Sequence, residues 1–177
     1  MGDWQIPTDA HSIVVHPGSS RVGLGGGLPM CGAMSTTATW PTANLAIYVP
    51  FRIIYPYSPV NIIHHNGSTT AGNRDLGVYD IEGNRLVSTG SITTTSSNSI
   101  QNSTISVTLL PGLYYYAMSC ASATNVTYGW TTANAAQAAA YGCYQQASAL
   151  PLPATATFAA MASSFIPLVV LSERSLV

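Results

Sequence analysis

Residues 73–90, NRDLGVYDIEGNRLVSTG, and residues 104–120, TISVTLLPGLYYYAMSC, decide the fold. Residues 74–81 and 85–90 read as two short strands around Glu82-Gly83-Asn84, where Gly83 supplies the positive φ of a tight hairpin. Asp80 opens that turn with a carboxylate able to accept from backbone N–H groups two residues on. Ile105, Val107 and Leu109 alternate with Ser106 and Thr108, which predicts a strand with one buried face. Pro111-Gly112 marks the next turn. Residues 113–120 then form an aromatic strand with Tyr114, Tyr116 and Met118 on one face and Leu113, Tyr115 and Ala117 on the other. Two antiparallel hairpins in succession place this unit at the centre of a β-sandwich.

The composition sets the rest of the frame. A chain of 177 residues is one domain with material for a sizeable core. Charged residues make up 6 %, against roughly 25 % in an average soluble protein, and lysine is absent. Net charge is near zero, so electrostatic repulsion between copies is weak and the surface suits permanent packing against neighbours. Nucleic-acid binding is excluded as an expectation, because it needs clustered Lys and Arg. No apolar run reaches the ~20 residues of a membrane span, and MGDWQIPTDAH lacks the basic region of a secretory signal. Cys31, Cys120 and Cys143 have no metal-like spacing and read as buried free thiols, with a Cys120–Cys143 bridge as the alternative. The sequons at Asn66, Asn102 and Asn125 carry no weight in so Ser/Thr-rich a chain.

Taken in order, residues 1–43 read as an extended N-terminal arm and residues 44–177 as the sandwich. Trp4, Ile6, Ile13, Val14 and Val15 stand in Gly/Pro-rich sequence that buries little within its own chain, and the glycine-rich GLGGGLP of 23–29 reads as a flexible connector. These five residues are the expected partner-binding contacts. Residues 44–49 and 51–55 form an interrupted strand punctuated by Pro50 and Pro56, and 60–65 another that ends at the turn signal Asn66-Gly67. Residues 125–132 are a further strand, 133–146 a short helix or a packed loop, Leu150-Pro151-Leu152-Pro153 a turn or linker, and 155–160 and 165–171 closing strands. Eight to ten short strands with turns between them predict an all-β, antiparallel, jelly-roll-like sandwich.

No catalytic constellation, cofactor site or metal site is expected. Asp80 and Glu82 share a hairpin, and a glycosidase would need such carboxylates ~5–10 Å apart across a cleft; turn chemistry is the better account. Asp75, Asp80 and Glu82 lack a calcium-loop pattern. His64 and His65 are adjacent in a strand and point to opposite faces, so one metal ion cannot readily take both. Neither a G-x-S-x-G elbow nor a dinucleotide fingerprint is present. Tyr114, Tyr115, Tyr116, Tyr128, Trp130, Tyr141 and Tyr144 offer either sugar-stacking surfaces or, the stronger reading, core and interface.

GNRDLGVYDIEGNRLVSTGSI, then LLPGLYYYAMS and PLPATATFA, with PTANLAIYVPFRI upstream, resemble a β-sandwich module of structural proteins in tailed bacteriophages. The resemblance spans about residues 41–171 and brings no catalytic residues. It implies a virion structural protein without enzymatic activity, made in the host cytoplasm. The leading expectation is a capsid decoration or cement protein on the capsid exterior, with the major capsid protein and copies of itself, as a homotrimer, for partners. Neither nucleic acid nor membrane is implied. The alternative is a tail or fibre module that binds host-surface carbohydrate through Tyr128 and Trp130.

Overall fold

The computed structural model describes residues 36–173, which form thirteen strands and one short helix. In chain order the strands are β1 (Thr36–Thr39), β2 (Ala46–Ile53), β3 (Asn61–His65), β4 (Asn73–Asp80), β5 (Arg85–Ser88), β6 (Ile92–Thr93), β7 (Ile100–Thr104), β8 (Gly112–Cys120), β9 (Val126–Thr131), β10 (Tyr144–Gln146), β11 (Ala159–Ala160), β12 (Phe165–Pro167) and β13 (Val169–Ser172). Helix α1 (Ala135–Ala140) lies between β9 and β10; Asn134 caps it by accepting from Gln137 N at 2.9 Å.

The main sheet has the order β11-β10-β2-β8-β4-β5, with β6 also beside β4. At its centre the aromatic strand β8 pairs antiparallel with β2 (Ile47↔Met118, Val49↔Tyr116) and with β4 (Leu76↔Met118, Val78↔Tyr116). Alternation sends Ile47, Val49, Phe51, Leu76, Val78, Tyr116 and Met118 to one face, where they join the principal core. The opposing layer consists of two three-stranded sheets, β1-β9-β12 and β13-β3-β7. They are joined at Leu168 N, which donates to Tyr128 O at 3.0 Å, and at Gly67 N, which donates to Val126 O at 2.9 Å. Ile62, Phe165, Ile166, Val169 and Leu171 of this layer meet the main sheet in the same core. The fold is therefore an all-β antiparallel sandwich.

The second face of the main sheet is buried as well. Ala46, Tyr48, Tyr79, Tyr115 and Ala117 form a separate cluster with Ala149 and Leu152, flanked by Tyr144 and Phe158. Residues 147–158 form the cover, including 150–153, read from sequence as a turn or linker, and most of 155–160, read as a closing strand. Leu152 N donates to Asp75 Oδ2 at 2.9 Å, Tyr79 Oη to Pro153 O at 2.6 Å, and Arg85 N to Ala154 O at 2.9 Å. The Arg85 guanidinium also donates to Leu152 O. Burying Leu152 contributes roughly 2 kcal/mol, and a hydrogen bond to a charged group roughly 1.5–3 kcal/mol. The apolar and the polar anchors thus matter about equally.

Several sequence expectations shift. Residues 36–43, read as part of the arm, already belong to the sandwich: β1 pairs with β9, and Trp40 is buried against Phe165 with its indole N–H donating to Leu45 O at 3.0 Å. The strand expected over 105–109 lies upstream at β7, paired with β3. Ile105 and Leu109 are buried as irregular chain, with a single bridge from Leu109 to Tyr57. Of 155–160 only β11 is strand; Thr155 makes a single antiparallel bridge to Asn84, with Ala156 N donating to Gly83 O at 2.8 Å. The hairpin after β4 turns at Gly83 as read, with φ 87°, but Asp80 accepts from the backbone N and side-chain amide of Asn84, four residues on and not two, at 2.7 and 2.9 Å. At Gly129 a Cβ would lie 2.7 Å from the Phe165 ring and collide with Ile166 O, so β9 and β12 approach as closely as they do only because no side chain stands there.

Asp75→Ala should lower the unfolding free energy by roughly 2–4 kcal/mol, since it strands the Leu152 N–H and two hydroxyls around a vacated carboxylate. Residues 147–158 should become the first site of limited proteolysis. Urea denaturation and mass mapping of the nicks check this, and an unchanged midpoint would contradict the pinning role of Asp75.

Candidate functional site

The described body has two places where polar chemistry or open surface departs from plain packing. The first is internal. Arg74 and Asp75 are neighbours on β4, both fully buried, and alternation sends them through opposite faces of the sheet. Asp75 is held on the covered outer face by Ser88 Oγ at 2.7 Å, Thr89 Oγ1 at 3.2 Å and Leu152 N. Arg74 enters the principal core, where Nε donates to Thr94 Oγ1 at 3.0 Å. Its Nη2 donates to the Asn125 amide oxygen at 3.2 Å, while the Asn125 amide nitrogen donates to Thr69 O at 3.3 Å. Burial lowers the Arg74 pKa to about 10, which still leaves it charged at neutral pH.

His64 lies on the inner face of β3, with Nε2 3.1 Å from Asn66 Oδ1. Asn66 donates to Ser96 O at 3.0 Å, and Gln101 donates to Thr93 O at 3.0 Å while accepting from Thr95 N at 3.2 Å. These amides tie the chain between β6 and β7 to β3. Burial, reinforced by the Arg74 charge and opposed by the Asn66 bond, pushes the His64 pKa down to about 3. His64 is thus neutral wherever the protein is folded above that pH. Asn66 and Asn125 are fully buried members of the network, so their sequons are not surface acceptors.

The second place is on the outside of the opposing layer. The registers Ile63↔Val170 and His65↔Ile100 align four side chains on the outer face of β13-β3-β7. With Tyr128 and Leu168 they frame a groove of about 310 Å³. The His65 and Tyr128 rings meet edge-on, with centroids 4.0 Å apart. The lining is almost wholly apolar and carries no acid, lysine or arginine. Its volume falls at the lower end of the roughly 300–1,000 Å³ of ligand-sized clefts.

The sequence-derived residues distribute as follows. Trp4, Ile6, Ile13, Val14 and Val15 lie outside the described residues, as does Cys31. Tyr128 belongs to the groove, whereas the half-buried Trp130 packs against the core. Tyr115 and Tyr144 are tied up beneath residues 147–158 with Phe158, so the strand's second tyrosine face is interior too. His64 and His65 do point to opposite faces, and among the described residues no three His, Cys, Asp or Glu converge as metal ligands. Asp80 is occupied by its own turn. Cys120 and Cys143 are buried free thiols, each pushed up to about 12 by burial. No helix among the described residues is long and apolar enough to cross a membrane. The groove was missed from sequence, although the adjacent aliphatics at 62–63 and 168–171 were a signal. Two successive apolar residues in a strand must supply both faces.

No protein-family model, curated protein or solved structure matches the chain.

Because the folded-state pKa of His64 lies below its unfolded value of 6.5, the unfolded chain binds the extra proton. The associated stability is fully present above pH 6.5 and is lost as pH falls toward 3. Each unit of pKa separation corresponds to about 1.4 kcal/mol. Urea midpoints between pH 7 and 4 should therefore fall more steeply for the unmodified protein than for His64→Gln, and parallel profiles would refute the assignment.

Proposed function

We propose that the chain is a virion structural protein of a tailed bacteriophage, a decoration or cement subunit that binds the outer surface of the assembled head. The observation that carries this reading is the character of the exposed surface. Ile54, Tyr55, Leu110 and Leu113 are all at least 40 % exposed. They cluster at one end of the sandwich: Ile54 and Tyr55 fall between the Ile53↔Gly112 pair and the Tyr57↔Leu109 bridge, Leu110 lies in the same interval, and Leu113 stands opposite Arg52. A lysine-free chain with 6 % charged residues and an apolar end suits a subunit held among neighbours.

The polar chemistry of the body supports the same reading. Arg74, Asp75 and His64 are spent on joining strands and covering a sheet, and Asp80 on shaping a turn. On this reading residues 1–35 supply an additional contact segment through Trp4, Ile6, Ile13, Val14 and Val15, reaching the major capsid protein or an adjacent copy in a homotrimer. Binding only the assembled shell stabilises that state by mass action, by about 2.7 kcal/mol at a free concentration of 100 Kd.

Deletion of residues 1–30 should leave far-UV circular dichroism unchanged while capsid co-sedimentation is lost. Immunogold labelling should decorate the head. Undiminished binding by the truncated chain would remove the contact role of these residues, and gold confined to the tail tip would overturn the head assignment.

A further inference from the structure

The groove on the outer face of β13-β3-β7 breaks the pattern of the rest of the molecule. An antiparallel sheet with one solvated face carries polar side chains outward. Here Ile63, Val170 and Ile100 lie on the outer side in adjacent register rows, with Ile63 buried, Val170 half-buried and Ile100 58 % exposed. On the main sheet the corresponding apolar face is covered by residues 147–158. Among the described residues, Ile100 at the open part of the groove is left exposed. Its lining selects an aliphatic occupant, since a charged or strongly polar group would lose its hydration there without a partner.

The chain itself leads to an occupant. The first described strand, β1, lies beside β9, and its Thr37 is the register partner of Tyr128, which lines the groove. Residues 1–35 precede that strand, and Ile13-Val14-Val15 is their one uninterrupted run of β-branched aliphatic residues. The intervening residues 16–35 span up to roughly 65 Å when extended, far more than one strand spacing. They contain Gly23 and Gly25-Gly26-Gly27, which tolerate a reversal of direction. A tethered segment has an effective concentration near millimolar, so a modest apolar contact suffices to hold it.

We propose that the groove is the docking site for Ile13-Val14-Val15 of the same chain in the free subunit. The segment is stowed against β3, β7 and β13 until a capsid surface or a neighbouring copy competes for it. This inference rests on reading the N-terminal residues as a contact segment, but not on the identity of their target.

The test uses the full chain, free of capsids, with a photo-crosslinking amino acid replacing Val14 and a mixture of light and isotopically heavy protein. Crosslinks should map to peptides holding Ile63, His65, Ile100, Tyr128 or Val170, and should join light to light and heavy to heavy. Ile100→Asp should cut the yield about ten-fold, the scale of losing one aliphatic contact, while Ile81→Asp, on the exposed hairpin, should leave it unchanged. Crosslinks elsewhere, none at all, mixed-isotope pairs in statistical proportion, or equal loss in both variants would overturn the proposal. Because no capsid is present, failure here leaves the decoration reading standing, and failure of capsid binding leaves this docking site standing.

Discussion

The central strands β2, β8 and β4 are buried on both faces, and that constraint governs the molecule. A strand with no solvated side has nowhere to send a charge, yet β4 carries Arg74 and Asp75 side by side. Each must be satisfied within its own layer. Asp75 meets the requirement by fastening the 147–158 segment and the end of β5 to the outer face. Arg74 does so only in part: Nε and Nη2 reach Thr94 and Asn125 while Nη1 finds no partner among the described residues, and His64, Asn66 and Gln101 form a second polar network in the opposing layer. The irregular parts of the chain are placed by these polar demands as much as by apolar contact.

The regular elements were legible because their signals are local. The hairpin at Gly83 follows from the positive φ that position needs, and β8 follows from period-two aromatic alternation. What sequence left hidden was long-range. Residues 150–153 alternate leucine with proline and read as a turn or linker, and 155–160 read as a closing strand. Their role as a cover exists only because β4 and β8 present tyrosines and alanines to them. Asn66-Gly67 carries a hairpin dipeptide, but Asn66 is buried and Gly67 lies against Val126, so tertiary pairing overrides turn propensity. The apolar alternation of Ile105, Val107 and Leu109 was a true burial signal assigned to the wrong backbone conformation.

The same distinction applies to the candidate sites. Adjacent His64 and His65 were correctly assigned to opposite faces, because that depends on strand geometry alone. That His64 would be held neutral beside a buried guanidinium, while His65 frames an open groove with Tyr128, depends on neighbours from distant strands. Trp130 was open to two readings, a stacking surface or, the stronger, core and interface; the structure half-buries it against the core, opposite Ile166.

The pairing of early strands with late ones bears on how the chain reaches this state during synthesis. β1 needs β9, β2 needs β8 and β10, and β3 needs β13, the last strand of the described chain. None of these ladders can close while the ribosome still holds its second member. Loop-closure entropy must be met before such contacts return anything, so folding is governed by topology and is slow for a chain of this size. The nascent β2 and β3, Ala46–Ile53 and Asn61–His65, are rich in aliphatic and aromatic residues and carry Arg52 as their one full charge. They wait unpaired until β7 and β8 have been made, which makes them the segments most in need of chaperone cover.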